Sequence, residues 1–189
     1  MRSVHRTRIF FTVLALGATL GFASRAAAQS VAQPRSWTVS PFLGSSLDVA
    51  GSGAGNSLLL GVGVGYDLTP NIGFEGELGH LFDVAGDDED IDWSITNVSG
   101  NFLYHFDVLR VTPYATFGLG FERSGIDSSD PTINLVPSST EVAFNFGGGV
   151  KYPLTERLLV RGDLRRFESN DLAPDYWRLY AGLTFTVTR

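Results

Sequence analysis

The sequence predicts an all-β protein: an eight-stranded antiparallel up-and-down transmembrane β-barrel, preceded by a cleaved signal peptide. Three observations predict this class. An N-terminal segment is typical of export, eight segments alternate between apolar and polar residues, and short and long connections alternate between those segments. The segments have about the length of a tilted strand that crosses a membrane, which needs about 9–11 residues.

The N-terminus has the three parts of a signal peptide. Three arginines within the first eight residues precede an apolar run over residues 9–23, and three alanines follow at 26–28. A positive start, a short apolar centre and a small-residue end are typical of a cleaved signal. A membrane-anchoring helix is the alternative, but it needs about 20 apolar residues, and this run is shorter and is followed by Arg25. We predict a signal peptide over residues 1–28, with cleavage before Gln29.

The remaining 161 of the 189 residues are expected to form one domain. Residues 29–36 are predicted to be a short periplasmic tail, and residues 37–189 the barrel. All 20 acidic residues but only 10 of the 14 basic ones follow residue 28, so the net charge of this part is about −10. This balance argues against nucleic acid as a partner, because phosphates are bound by Lys and Arg. Cysteine is absent, which excludes disulfides and thiolate chemistry.

Eight segments show the alternation of a strand with one apolar face. They are predicted at residues 37–47, 57–68, 72–82, 94–106, 111–123, 140–152, 158–167 and 175–187. The first, third, fifth and seventh connections, at 48–56, 83–93, 124–139 and 168–174, are longer and more polar than the other three. Outer-membrane barrels place short turns in the periplasm and long loops outside the cell. The long loops are therefore the expected contact surface for an extracellular ligand.

The two faces of each predicted strand differ in character. In the sixth strand, Val142, Phe144 and Phe146 share one face, whereas Glu141 and Asn145 share the other. Aromatic residues recur near both ends of the apolar face, as in the girdles of a lipid-facing surface. An eight-stranded barrel has a lumen just wide enough for side chains. We therefore expect the apolar face to contact lipid and the polar face to fill the lumen.

The polar face is predicted to form an ion-pair network that plugs the lumen. Five acids and four bases share it: Glu75, Glu77, Glu122, Glu141 and Asp163, with Lys151, Arg161, Arg165 and Arg178. The balance is close to neutral although the chain is acidic, and charges confined in a narrow lumen need partners. Four are expected near the outer strand ends: Glu122, Glu141, Arg165 and Arg178. Four more are expected at a lower level in the lumen, further from the outer strand ends: Glu75, Glu77, Lys151 and Arg161.

Arg123 and Arg166 interrupt the apolar face near the outer strand ends. They are predicted to contact lipopolysaccharide, because a guanidinium pairs bidentately with phosphate oxygens. Projection of both side chains into water is the alternative.

Two histidines remain after the signal peptide, His80 on the apolar face and His105 on the lumen face. A hydrolytic site of the serine type needs a serine activated by a histidine, and neither histidine has an evident serine partner near the outer leaflet. We therefore predict that the protein is not an enzyme. A lipid A-modifying enzyme and a soluble, lipocalin-like exported barrel that binds an apolar ligand are the alternatives.

The alternating strands, and most clearly FNFGGGVKYPLTERLLVRGDLRRF at residues 144–167, resemble the outer-membrane β-barrel domain family. This family includes the OmpA transmembrane domain and OmpX-like porin-family proteins. The resemblance implies an outer-membrane location in contact with lipid and lipopolysaccharide, no cofactor, and a role in envelope integrity, adhesion or limited passive permeation. The last strand resembles the family's signal to the barrel-assembly machinery through Leu179, Ala181, Leu183, Phe185 and Val187. Arg189 stands where the family has an aromatic residue, so Phe185 is the expected substitute.

Overall fold

A computed structural model describes residues 33–47, 57–82, 91–106, 111–128, 139–169 and 175–188. The predicted signal peptide and most residues of the predicted loops lie outside these ranges. Among the described residues, no helix is long and apolar enough to span a membrane.

The described residues form eight antiparallel strands in one closed barrel, which confirms the predicted fold class. The strands are β1 (Ser36–Leu47), β2 (Leu58–Asp67), β3 (Ile72–Phe82), β4 (Ile91–His105), β5 (Thr112–Ser128), β6 (Ser139–Pro153), β7 (Leu158–Ser169) and β8 (Tyr176–Thr188). Each strand pairs with its neighbours in the sequence, and β8 pairs with β1 to close the barrel. The closing ladder has one register shift, between Trp37 and Thr38.

Two of the short connections have the same turn structure, built on a Leu-Thr pair. After β2, Leu68 N donates to Ile72 O at 2.9 Å, and the Thr69 hydroxyl accepts from Ile72 N at 2.9 Å. After β6, Leu154 N donates to Leu158 O at 2.9 Å, and the Thr155 hydroxyl accepts from Leu158 N at 3.1 Å. A threonine side chain that bonds the nearby backbone fixes a tight turn. We call this end of the barrel the turn end and the opposite end the loop end.

The outward wall is apolar and the lumen is polar, as the alternation predicted. Large apolar side chains are exposed on the outward positions of every strand, from Trp37 on β1 to Val187 on β8. Buried polar and charged side chains occupy the inward positions. A soluble barrel that binds an apolar ligand needs the opposite arrangement, because its outside is covered by water.

Four strands are longer than predicted at the loop end, β4 and β5 by the most residues. β4 begins at Ile91 and β5 continues to Ser128, so both extend into residues assigned to the third and fifth loops. These residues continue the β4–β5 ladder, in which Ile91 pairs with Ser128. The alternation of apolar and polar residues marks only the part of a strand that has a buried face, so it does not predict this extension.

Candidate functional site in the barrel lumen

All nine charged residues of the predicted network lie on inward positions. Eight of them are at most 5% exposed: Glu75, Glu77, Glu122, Lys151, Arg161, Asp163, Arg165 and Arg178. The ninth, Glu141, is half-buried and is the register partner of Glu122 near the loop end. The eight buried residues comprise four acids and four bases.

Two arginines and two carboxylates occupy the centre of the lumen. Arg161 Nη1 donates to Glu75 Oε2 at 2.5 Å, and Arg161 Nε donates to Asp163 Oδ2 at 2.9 Å. Arg165 Nη2 reaches the same carboxylates, at 3.2 Å from Glu75 Oε1 and 3.1 Å from Asp163 Oδ1. The Tyr114 hydroxyl donates to Asp163 and accepts from Arg161 Nη2 at 2.9 Å. Each carboxylate is shared by two guanidinium groups, which is the compensation that a buried charge requires.

The network continues towards the loop end through Arg178. Arg178 Nη1 lies 3.5 Å from Glu77 Oε1, and Arg178 Nη2 donates to the Tyr176 hydroxyl at 2.9 Å. Tyr176 in turn donates to Glu122. Arg165 Nη1 lies 3.1 Å from Glu77 Oε2, close enough for an ionic contact although the hydrogen-bond geometry is poor. Arg165 therefore joins the level of Glu75 and Glu77 rather than the outer level predicted for it, because a long arginine side chain reaches well away from its own Cα.

A different pair of groups lies near the turn end. Lys151 Nζ is 3.0 Å from His105 Nε2 and 5.2 Å from the centre of the Tyr114 ring. His105 is 1% exposed, and Asp67 nearby is 7% exposed. The sequence placed Lys151 at the level of Glu75, but its hydrogen bond is to the histidine. His105 faces the lumen, as the alternation of the strand predicts.

Two asparagine side chains on the inward face hydrogen-bond to each other across a glycine of the strand between them. Asn145 Nδ2 donates to Asn101 Oδ1 at 2.9 Å, and Gly118 is the register partner of both asparagines. A Cβ at Gly118 would overlap Asn101 Oδ1 and Asn145 Nδ2. Glycine at this inward position therefore leaves the space in which the two side chains meet.

An apolar cluster in the outer half of the lumen was not predicted. It consists of Phe42, Leu59, Leu81, Ile95, Phe167, Tyr176 and Tyr180, each at most 5% exposed. The Arg178 guanidinium lies 3.9 Å from the centre of the Phe167 ring, so the cluster packs directly on the ion pairs. The sequence does carry a signal, because Leu59 is an apolar residue on the otherwise polar face of its strand. We call these seven residues the apolar plug.

A protein-family model matches most of the sequence. The family is described as "Outer membrane protein beta-barrel domain", and its model matches residues 13–185. The chain belongs to this family. This confirms the resemblance found in the sequence and the predicted location in the bacterial outer membrane.

Solved outer-membrane barrels have the same fold. Neisserial surface protein A has 15% identity and a TM-score of 0.64, over 80% of this chain and 96% of that one. The N-terminal barrel of Pseudomonas aeruginosa OprF has 20% identity and a TM-score of 0.59, over 82% of this chain and 100% of that one. Ail of Yersinia pestis has 15% identity and a TM-score of 0.55, over 81% of this chain and 100% of that one. Similarity at this level of identity supports the fold alone, and no curated protein matches the sequence.

The family orients this barrel in its membrane. Outer-membrane barrels have short periplasmic turns and longer extracellular loops. The connections at the loop end are the longer ones, for example between Phe82 and Ile91 and between Ser128 and Ser139, compared with four residues in each of the two described turns. The loop end therefore faces outside.

The two arginines on the outward wall have different surroundings. Arg166 Nη2 lies 3.0 Å from Asp175 Oδ2, its Nε lies 3.7 Å from Glu168 Oε1, and its guanidinium stands 5.9 Å from the Trp177 ring centre. Arg123 is exposed on β5, between Thr96 of β4 and Thr140 of β6 in the ladder. Lipopolysaccharide contact stays a prediction for both arginines.

The predicted assembly residues all lie on the outward face of β8. They are exposed to the lipid side: Leu179, Ala181, Leu183, Phe185 and Val187. Phe185 pairs with Val39 of β1 and Leu158 of β7, close to the turn end. Their recognition by the assembly machinery stays a prediction.

Proposed function

We propose that this outer-membrane barrel is a non-enzymatic structural and interaction protein, which anchors its extracellular loops for envelope integrity or adhesion and does not conduct solutes freely. The observation that carries the proposal is the occupied lumen. Ion pairs fill its centre, the apolar plug fills its outer half, and Lys151 with His105 occupies its turn end. A continuous water path would have to displace paired charges, which is costly in free energy.

The environments of the histidines favour this proposal over a lipid A hydrolase. His80 Nδ1 is 2.8 Å from Thr96 Oγ1 on the outward wall, so it has a hydroxyl partner that the sequence did not reveal. A nucleophile of this kind also needs a third group that orients the histidine. Within the part of the chain that the structure describes, no carboxylate bonds to His80. His105 is enclosed in the lumen, far from the outer leaflet.

Conductance in planar bilayers tests the proposal. The wild-type barrel should give no stable channel steps, whereas Arg161→Ala should give frequent steps because it removes the side chain that joins Glu75 to Asp163. Arg157→Ala, in an exposed turn outside the lumen, is the matched control and should behave like the wild type. Large, stable steps in the wild type would instead assign the protein a permeation role.

A second experiment separates the barrel from its loops. A deletion strain is complemented either with the wild type or with a barrel in which a Gly-Ser linker replaces residues 129–138, which lie outside the described residues. Resistance of the cells to detergent and attachment to a surface are measured together. Loss of attachment with retained resistance supports an interaction role for the loops. Full retention of both by the linker variant would contradict a role for this loop.

A further inference from the structure

Two outward glycines leave a gap in the apolar wall on the turn-end side of the barrel. Gly76 of β3 and Gly100 of β4 are register partners, and both are exposed on the outward face. A Cβ built at Gly100 would meet nothing within 4 Å, and one built at Gly76 would meet only the Val64 carbonyl oxygen, at 3.9 Å. The space outside this glycine pair is therefore open to the membrane.

A row of aromatic rings borders the gap towards the turn end. The rings lie on five consecutive strands, and each residue pairs with the next in the ladder: Trp37, Tyr66, Phe74, Phe102 and Phe117. Ring centres are 5.0 Å apart for Trp37 and Tyr66, and 5.7 Å apart for Phe74 and Phe102. Val64 and Leu119 flank the two glycines at the same level, and together these nine residues line a concave groove of about 520 Å³. We call it the glycine groove.

The glycine groove lies in the periplasmic half of the membrane. Gly76 is four residues beyond Ile72, where β3 begins, which is about 13 Å along the strand at roughly 3.3 Å per residue. A strand tilted by about 45° therefore rises about 9 Å above the turn, compared with about 15 Å for half of the hydrocarbon core. A lipid chain that enters the groove at this level has its headgroup at the turn end.

A cation lies at the turn-end edge of the glycine groove. Arg35 is exposed and precedes Trp37 by two residues, so their Cα atoms are at most about 7 Å apart. The Arg35 backbone N donates to Asp67 O at 2.6 Å, which places Arg35 beside the strand end that carries Tyr66. Arg35 has a φ of 60°, which glycine or asparagine adopts at lower cost, so the backbone conformation does not favour arginine here. A guanidinium at this level suits the phosphate of a lipid headgroup.

We propose that the glycine groove binds one acyl chain of an anionic phospholipid of the periplasmic leaflet, with Arg35 at the headgroup. The chain fills the space that the two glycines leave open and gains dispersion contacts with the flanking rings. Arg35 selects the headgroup, because a cation near the membrane surface raises the affinity for an anionic lipid by about fivefold. The inference uses the outer-membrane location and orientation, and it does not depend on whether the lumen conducts.

Quenching of Trp37 fluorescence by brominated lipid tests the proposal, because Trp37 lines the groove. The chain has three tryptophans, and Trp93→Phe with Trp177→Phe leaves Trp37 as the reporter in the folded barrel in an uncharged detergent. The probes are phosphatidylglycerol, which is anionic, and phosphatidylcholine, which is zwitterionic, with the same brominated chains. Half-quenching by phosphatidylglycerol should need about fivefold less lipid than half-quenching by phosphatidylcholine. Arg35→Gln should remove this difference, whereas Arg157→Gln, the same charge change in the exposed turn after β6, should retain it.

A variant that fills the groove tests the place of the acyl chain. Gly100→Leu should raise the amount of either lipid needed for half-quenching by at least about threefold, because the leucine takes up the space of the chain. Gly162→Leu is the matched control, since a Cβ at Gly162 also meets nothing within 4 Å and β7 lies opposite β3 in the eight-stranded barrel. Its quenching should equal that of the reporter barrel. Heat-dependent electrophoretic mobility verifies that each variant is folded.

Four results would overturn the proposal. Equal quenching by the two lipids would remove the headgroup role of Arg35, and unchanged quenching in Gly100→Leu would place the chain outside the groove. Competition by glycerol phosphate at the concentrations at which the lipid binds would show an anion site without a requirement for chains. A barrel that is dimeric in detergent and becomes monomeric in Gly100→Leu would assign the groove to a second copy of the chain. None of these measurements concerns the lumen, so the proposed function is tested separately by conductance.

Discussion

Replacement of Arg161 by alanine should destabilise the barrel by about 3–5 kcal/mol. The Arg161 side chain is 1% exposed and bonds Glu75 at 2.5 Å, Asp163 at 2.9 Å and Tyr114 at 2.9 Å. Without it, Glu75 and Asp163 share one central cation, Arg165, at 3.2 and 3.1 Å. One negative charge is then uncompensated, and removal of one partner of a buried ion pair costs about 3–5 kcal/mol.

Urea unfolding in detergent, followed by tryptophan fluorescence and electrophoretic mobility, measures this loss. The urea concentration at the midpoint of unfolding should fall. The m-value, which is the slope of the unfolding free energy against urea concentration, should stay unchanged because the surface exposed on unfolding is nearly the same. Arg161→Ala/Asp163→Asn removes the surplus negative charge and should be more stable than Arg161→Ala alone, which a double-mutant cycle reports as coupling. Arg157→Ala, in the exposed turn, should not change the stability.

A small loss of stability would contradict the role of the buried charges. A loss below about 1 kcal/mol for Arg161→Ala is the value expected of a solvated surface pair. If Asp163→Asn then added its own cost instead of restoring stability, the lumen charges would be screened by water. The interpretation of the lumen as a dry ion-paired core would be wrong.

Three other experiments have definite expected results. Gly118→Ala should destabilise the barrel by about 1–3 kcal/mol in the urea assay, because the new Cβ overlaps the side chains of the hydrogen-bonded asparagine pair. Gly100→Ala is the control: its Cβ meets nothing within 4 Å, so it should be neutral or stabilise the barrel by up to about 1 kcal/mol. Equal effects of the two substitutions would contradict this explanation. Phe185→Ala should lower the folded, heat-modifiable fraction in the outer membrane more than Phe144→Ala, an equally outward aromatic change, and an equal loss would remove the assembly role. Mass spectrometry of the exported protein should find Gln29 at the N-terminus, and an intact N-terminus in the envelope fraction would refute cleavage.

The strand framework could be predicted from sequence because its signal is local. A side chain that faces lipid must be apolar, and its neighbours in the strand face the lumen, so alternation identifies both the strand and its faces. The tight connections after β2 and β6 separate the alternating segments clearly. The same alternation predicts that His105 and all nine network residues face inward, and the structure has them there.

The partners inside the lumen could not be predicted in the same way. Parity gives the face of a residue, but the contact depends on side-chain reach and on strand tilt around the barrel. Arg165 was therefore placed at the outer level although it bonds Glu75. The tyrosines were also missed as partners: Tyr114, Tyr176 and Tyr180 each hydrogen-bond a lumen carboxylate. A phenol has an apolar ring and a polar tip, so a binary pattern does not reveal its role.

The arginines of this protein divide into two groups with different physical requirements. Arg161, Arg165 and Arg178 are at most 1% exposed, so the protein itself must supply their partners, and it does so with carboxylates and phenols on their own strands and on other strands. Arg123 is exposed at the membrane boundary, where lipid or water can solvate it. Substitution within the lumen should therefore change stability and conductance, whereas substitution of Arg123 should change lipid affinity at constant stability. Because the two groups affect different measurements, the sealed lumen and the predicted lipid contact of Arg123 can be tested separately.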